Sequence, residues 1–165
     1  MNNTNKPWNK EKSSHNIDEN YSRPNLPPNN ADHQSYSGNE LTKILFLSKR
    51  GMSRSPLARE MMRTLLEGTQ LFGRVRTSSR GVTEAYDQCP IDARMSKFST
   101  KLGYFLQGFS RFATIPDLAS ADIIITLDHE SEDFVNLHKS FIRGLSRPLG
   151  IFFSPGSDPY IQDPY

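Results

Sequence analysis

The run Ile123-Ile124-Ile125-Thr126-Leu127 shows no alternation of polar and apolar residues. A strand of this kind has to be covered on both faces, the situation of parallel strands beneath layers of helix. Parallel neighbours need a crossover connection, usually a helix, so the flanking chain is expected to alternate strand and helix. It does so from Leu41 onward. Residues 43–47 predict a second buried strand. Leu57, Met61 and Leu65 recur at i, i+4 and i+8 and predict a helix over 56–67. Ser55 suits its cap, Pro56 its first position, and Glu67-Gly68 offers a stop. Residues 73–78 predict a weaker strand, followed by a turn-rich loop through Asp92. Arg94–Leu102 predicts a helix ended by Gly103, Tyr104–Leu106 a short strand, and 114–120 a short helix. Ser131–Phe141 carries Phe134, Leu137, His138 and Phe141 at helical spacing, and Leu149–Phe153 is the last apolar run. The fold class that follows is α/β, a three-layer sandwich with a small, mostly parallel four-stranded sheet flanked by helices.

The composition shifts near residue 40. Residues 1–40 are crowded with Asn, Ser, Pro and charge, and their only large aliphatic residues are Ile17 and Leu26. Such a segment buries too little apolar surface to offset the entropy of ordering it, so 1–40 reads as a disordered tail and 41–165 as the single domain. Trp8, the only tryptophan, falls in the tail as an incidentally exposed aromatic or an anchor for a partner. A net charge of +2 over 165 residues gives no argument for nucleic acid or an acidic membrane. No run of about eighteen apolar residues predicts a membrane span, and the polar N-terminus leads into no signal-like apolar stretch. A lone cysteine, Cys89, excludes an intrachain disulfide or a cysteine-based metal site. Cytoplasmic location is the expectation.

Ser48-Lys49-Arg50-Gly51-Met52-Ser53-Arg54-Ser55-Pro56 directly follows the 43–47 strand and opens the next helix. Successive backbone N–H groups in such a loop curl around a tetrahedral oxyanion, and the helix N-terminus adds partial positive charge. Arg54 supplies a planar fork for two oxygens. Ligands of parallel α/β sheets bind beyond the carboxyl ends of the strands. The Ser48 loop, the Asp128-His129 corner and the segment around Asp163 are therefore expected to converge. Plainer readings stand beside these: an ordinary strand-to-helix connection, an Arg54 ion pair, and an Asp163 that sits in a Pro-flanked turn. Asp158-Pro159-Tyr160 repeats the Asp163-Pro164-Tyr165 tripeptide; Asp163 is preferred on spacing. Asp128 is expected to brace loops, and Tyr160 or Tyr165 either to flank an aromatic substrate or to lie exposed. His129 could serve as base to Ser48. His138 reads as a helix-face residue, with His15 and His33 in the tail.

Three blocks together resemble the low-molecular-weight protein tyrosine phosphatase family. They are Ser48-X5-Arg54-Ser55-Pro56, where the family has Cys at the first position; Ala121–Asp128; and Gln162-Asp163-Pro164-Tyr165, similar to the family's Asp-Pro-Tyr acid loop. Pro90–Met95 and Ser110-Arg111 are weaker echoes. The resemblance implies a phosphotyrosine phosphatase I-like fold and a metal-free, cofactor-free hydrolase acting on a phosphorylated protein or a small aryl phosphate. It places the nucleophile at Ser48 and the oxyanion-binding amides at Lys49, Arg50, Gly51, Met52, Ser53 and Arg54, with the Arg54 guanidinium beside them. Ser55 would hydrogen-bond the nucleophile, and Asp163 would act as general acid. The arsenate reductases of related fold need further cysteines that this chain lacks.

The departures decide the chemistry. A cysteine thiol of pKa about 8.5 is lowered to roughly 3.5–7.5 by an electropositive loop, whereas an alcohol starts several units higher and needs an adjacent base. Ser48 is thus expected to bind phosphate with catalysis impaired. Arg50-Gly51 stand where the family usually has Gly-Asn, and Ser53 replaces its second loop cysteine. The chain ends at Tyr165, inside the acid loop, where the family continues into another helix; an uncovered apolar face, a destabilised fold or an incomplete chain is expected. Three readings stay open: a phosphate-binding protein without turnover, a slow phosphomonoesterase using Ser48 or water with Asp163, and a decaying copy without a stable fold.

Overall fold

A computed structural model describes residues 41–164; the tail with Trp8, His15 and His33, and Tyr165, lie outside the described residues. The elements run β1 (Thr42–Ser48), α1 (Arg54–Glu67), β2 (Val75–Gly81), α2 (Ala93–Lys101), α3 (Ile115–Ser120), β3 (Ile123–Thr126), α4 (His129–Leu137) and β4 (Leu145–Pro148). Single turns of 3-10 helix lie at Glu84–Tyr86, Lys139–Phe141 and Leu149–Phe152. The four strands form one sheet in the order β2-β1-β3-β4, parallel at every pairing. The chain steps from β1 to β2 on one side and then crosses back to β3 on the other. The gap beyond the carboxyl ends of β1 and β3 is therefore the topological switch point, where such sheets bind ligands.

Side chains alternate across the two inner strands and divide the core. On one face Leu45, Leu47 and Ile124 pack with Leu118, Ala121 and Val135, supplied by α3, its end and α4. On the other, Phe46, Ile125 and Leu127 meet Ala58 and Met62 of α1. Leu47, Ile124 and Leu127 are fully buried, each stabilising the fold by about 1.5–3 kcal/mol. This second face is open along one flank of α1, where a groove reaches Phe46 and Met62. Leu57, Met61 and Leu65, with Met95, Leu149 and Phe153, line this apolar groove of about 490 Å³. No helix among the described residues is long and apolar enough to cross a membrane.

Several boundaries differ from those expected. Helix α1 starts at Arg54, so Ser53 takes the cap position, without a side-chain cap bond. Pro56 falls at the third helical position, where its missing N–H is again one of the unpaired ones. Helix α4 starts two residues early because Asp128 caps it in a reciprocal box with Ser131, and it ends at Leu137. Strand β2 runs later than 73–78 because the backbone turns back first, Arg74 N–H bonding Leu71 O. Tyr104–Leu106 is no strand: the Tyr104 N–H is spent on Ser99 O at the end of α2. The fourth strand is Leu145–Pro148 and not the apolar run after it. At Gly150 the chain instead bonds to Pro159 O, so close to Asp158 and Pro159 that a Cβ there would meet Asp158 O at 2.2 Å.

Helix α3 has only six residues and depends on its cap. The Thr114 hydroxyl accepts from Asp117 N–H, while the Asp117 carboxylate accepts from the Thr114 N–H and hydroxyl. Arg80 donates to the same carboxylate at 2.8 Å. Burial pushes the Asp117 carboxyl up, but the Thr114 bonds and Arg80 together hold it below the ordinary range. Thr114→Ala is expected to cost about 1 kcal/mol in urea unfolding at neutral pH. The stability contributed by Asp117 is present above the usual carboxylate range and disappears as pH falls through its lowered native value. The gap between native and Thr114→Ala unfolding midpoints should accordingly narrow in acid.

Candidate active site

Ser48 is the last residue of β1, paired in register with Gly81 of β2 and 2% exposed. Its hydroxyl donates to Ser55 Oγ at 2.9 Å, and Ser55 Oγ donates to Arg80 O at 3.2 Å. This relay ends on a carbonyl oxygen, which accepts a hydrogen bond but takes no proton at neutral pH. Ser55, expected at the helix cap, is freed for this contact by the earlier start of α1.

The loop between Ser48 and α1 turns its carbonyls outward. Lys49 O accepts from Val82 and Thr83 N–H, Met52 O from Asp92 N–H, and Arg50 O from Ser110 Oγ at 2.8 Å. In a planar trans peptide the N–H of the next residue points the opposite way, so the N–H groups of Arg50, Gly51 and Ser53 face inward. One expected donor is taken: Lys49 N–H donates to Asp128 Oδ2 at 2.8 Å. Gly51 lies at φ +70°. A Cβ there would sit 2.5 Å from Gly81 N and 2.7 Å from Ser110 Oγ, and a Cβ on Gly81 would sit 2.6 Å from Arg50 O. The loop curls tightly because two glycines meet back to back. Its interior is a small hollow lined by Ser48, Gly51, Met52, Ser53, Arg54 and Asp163, with Arg50 at its side.

Arg54, in the first turn of α1, joins the three segments expected to converge. Its Nη2 lies 2.8 Å from Asp128 Oδ2 and 3.5 Å from Asp163 Oδ2, and Nη1 donates to Ile161 O at 2.8 Å. The Arg54 and Asp128 side chains are 10% and 7% exposed, a nearly buried pair. Asp128 also accepts from Ser131 N–H, and so braces loops as expected. Asp163 reaches the hollow, whereas Asp158 accepts from Tyr160 N–H within its own turn. His129 does not serve Ser48: the Ser48 hydroxyl goes to Ser55, and the imidazole lies against the Tyr160 ring, centroids 3.9 Å apart. The Tyr160 hydroxyl donates to Glu132, which with burial pushes it up to about 12. His138 sits at the end of α4 against Phe134. An outer cavity of about 200 Å³ adjoins the hollow, walled by Lys49, His129, Glu130, Asp158 and Tyr160.

Gly81, Ser110 and Asp92 hold the loop from outside, and no role is predicted for them from sequence. For Ser110 and Asp92 a trace is present in the weaker echoes, though without a role; Gly81 carries no sequence signal, since its register with Ser48 is set by strand pairing.

The sequence profile of the family described as low molecular weight phosphotyrosine protein phosphatase matches residues 43–147, more than half of the chain. No curated protein matches it. Among solved structures, YfkJ from Bacillus subtilis is similar at TM-score 0.71 and 22% identity, over 78% of this chain and 82% of that one. A protein tyrosine phosphatase from Entamoeba histolytica, with Hepes in its active site, matches at TM-score 0.68 and 21% identity, over 75% and 80%. A Cys-to-Ser mutant of the YwlE arginine phosphatase, with a phosphorylated active-site serine, matches at 0.61 and 19%, over 75% and 79%; YwlE is from Bacillus subtilis.

The glycine contact is directly testable. Gly51→Ala meets backbone it cannot displace, at a φ that itself costs about 1–2 kcal/mol, and should lower stability by about 3 kcal/mol or more, or abolish folding. Gly68→Ala has nothing within 4 Å of the new Cβ and a negative φ, and should change stability by less than about 1 kcal/mol. Urea unfolding of the two variants side by side measures the difference.

Proposed function

The chain belongs to the low molecular weight phosphotyrosine protein phosphatase family, and from that premise we propose that it binds phosphate or phosphotyrosine-type groups in the 48–55 loop, with hydrolysis impaired by Ser48. The inward N–H groups of Arg50, Gly51 and Ser53, the N-terminus of α1 and the Arg54 guanidinium are the donors for the equatorial oxygens. Asp163 is the acid that would protonate a leaving oxygen. No step in this scheme uses a metal.

One observation carries the impairment: the Ser48 hydroxyl donates to Ser55, and Ser55 to Arg80 O. A thiol in this setting would ionise without help, because loop amides and Arg54 stabilise the thiolate. An alcohol needs a base to remove its proton, and the relay offers none.

A second reading has support from one relative. The YwlE mutant carries phosphate on a serine that replaces its cysteine. By analogy Ser48 would attack slowly. The bond from phosphorus to the leaving atom breaks, a bond from Ser48 Oγ to phosphorus forms, and the hydroxyl proton ends on the leaving group. Hydrolysis of the resulting phosphoserine would then be the slow step.

Phenyl phosphate hydrolysis by the native chain, Ser48→Cys and Arg54→Ala separates these outcomes. The native chain should run at the Arg54→Ala background, with Ser48→Cys on the order of 100-fold or more above it. Steady native turnover above the background would overturn the impairment. A native chain that gains the mass of one phosphoryl group at Ser48 without turnover would favour the second reading. Failure of all three, together with no phosphate binding by the native chain, would remove the binding role itself.

A further inference from the structure

Cations at the mouth of the site are matched to carboxylates, with one exception. Arg54 lies between Asp128 and Asp163, and the Lys49 ammonium pairs with Glu130 at 2.7 Å. That pair holds Lys49 above and Glu130 below their ordinary values, through the hydrogen bond between them first of all. Arg50 is half-buried, and among the described residues its side chain has neither a hydrogen bond nor an ion pair. Its Nε is buried without any acceptor. Its guanidinium carbon lies 5.4 Å from the centre of the Tyr86 ring, in the first 3-10 turn beside the loop.

This arrangement is costly on local grounds. A half-buried guanidinium next to another cation, Lys49, loses hydration, and a Tyr face returns only about 0.5–2 kcal/mol. Buried donors without partners are rare and call for an explanation, and departures from local consistency concentrate at functional sites. The guanidinium lies against the Tyr86 ring, and no carboxylate of the described residues pairs with it. A planar fork left without an acceptor beside the loop suits an oxyanion arriving from outside.

Resting on the phosphate-binding reading above, we propose that Arg50 recognises a second anionic group on the substrate, an acidic side chain flanking the phosphorylated residue. The partner chemistry is an acidic phosphopeptide: the phosphoryl group occupies the hollow and a neighbouring carboxylate pairs with Arg50 over Tyr86. Lys49 contributes less, being already neutralised by Glu130.

Calorimetric titration of the full chain with two phosphotyrosyl peptides tests this, one flanked by Asp and the other by Asn at the same positions. The native protein should prefer the Asp peptide by about tenfold at low salt. In Arg50→Gln and Arg50→Ala the ratio should fall to within about twofold, and in Arg50→Lys part of it should persist, since the charge remains without the fork. Thermal unfolding of each variant establishes that the ratio is measured on folded protein, and Arg50→Gln keeps the length of the side chain should Arg50→Ala unfold. Equal binding of both peptides by the native chain overturns the role of Arg50 and leaves the phosphate site standing. The same preference in Arg50→Gln as in the native chain overturns it too, by assigning the discrimination to another cation. Binding of neither peptide overturns the phosphate-site reading and this inference with it.

Discussion

The carboxylate of Asp128 is the point at which the separate pieces of this fold become one site. It stands at the end of β3, and three elements direct donors at it: the Lys49 N–H beyond β1, the Arg54 guanidinium in α1, and the Ser131 N–H in α4. A carboxylate so nearly buried is tolerated only when its lone pairs are satisfied, and charge-assisted donors satisfy them best. The arrangement also serves Arg54, whose nearly buried charge finds in Asp128 its closer carboxylate, at 2.8 Å against 3.5 Å for Asp163. Removing either partner strands the other, which is the costly way to break a buried pair. The loop at Ser48 is thus held in place by a group outside the motif that makes it recognisable.

In the proposed function the shape of the loop and the reactivity of the group at position 48 are separate properties. Shape is set by backbone: outward carbonyls, Gly51 at positive φ, and the meeting of Gly51 with Gly81. None of these depends on the side chain at 48, and a serine hydroxyl finds a ready partner in Ser55. Reactivity depends on ionisation, which the loop can supply to a thiol and not to an alcohol. In the proposed role the same amides and helix terminus that would stabilise a thiolate would hold an oxyanion, because that interaction needs only their dipoles. A proposal of binding with impaired hydrolysis therefore follows from one fold, not from two contrary observations.

Much of this is legible in the residues alone, for reasons that differ by element. The two inner strands are legible because burial on both faces leaves continuous apolar runs, and the loop is legible because Gly, Arg and Ser-Pro each answer a separate steric or electrostatic need. The edge strand β4, Leu145-Ser146-Arg147-Pro148, is not: half-exposed and polar, it has no periodicity to distinguish it from a turn, while the more apolar residues after it coil against Pro159. The start of α1 is misread because Ser55 satisfies every local rule for a cap, and only the tertiary contacts to Ser48 and Arg80 O claim its hydroxyl. Gly81 and Ser110 escape for the same reason, since what they support lies 30 and 60 residues away from them.

The charges around the hollow bear on what can occupy it. Arg54 shares its guanidinium with two carboxylates, so its net field at the hollow is weaker than that of a lone cation. Lys49 is similarly offset by Glu130. Under the proposed binding role, attraction for a doubly charged phosphoryl group falls on the amide dipoles at short range and on Arg50 at longer range. Amide dipoles act within a few ångströms and read the tetrahedral oxyanion itself, whereas an unmatched guanidinium on a tyrosine face acts farther out and reads what surrounds it. Affinity for the phosphoryl group and preference for its neighbours are thus assigned, in the proposed role, to different atoms, so that a change at Arg50 would alter the second while the backbone proposed to make the first stays where Gly51 and Gly81 hold it.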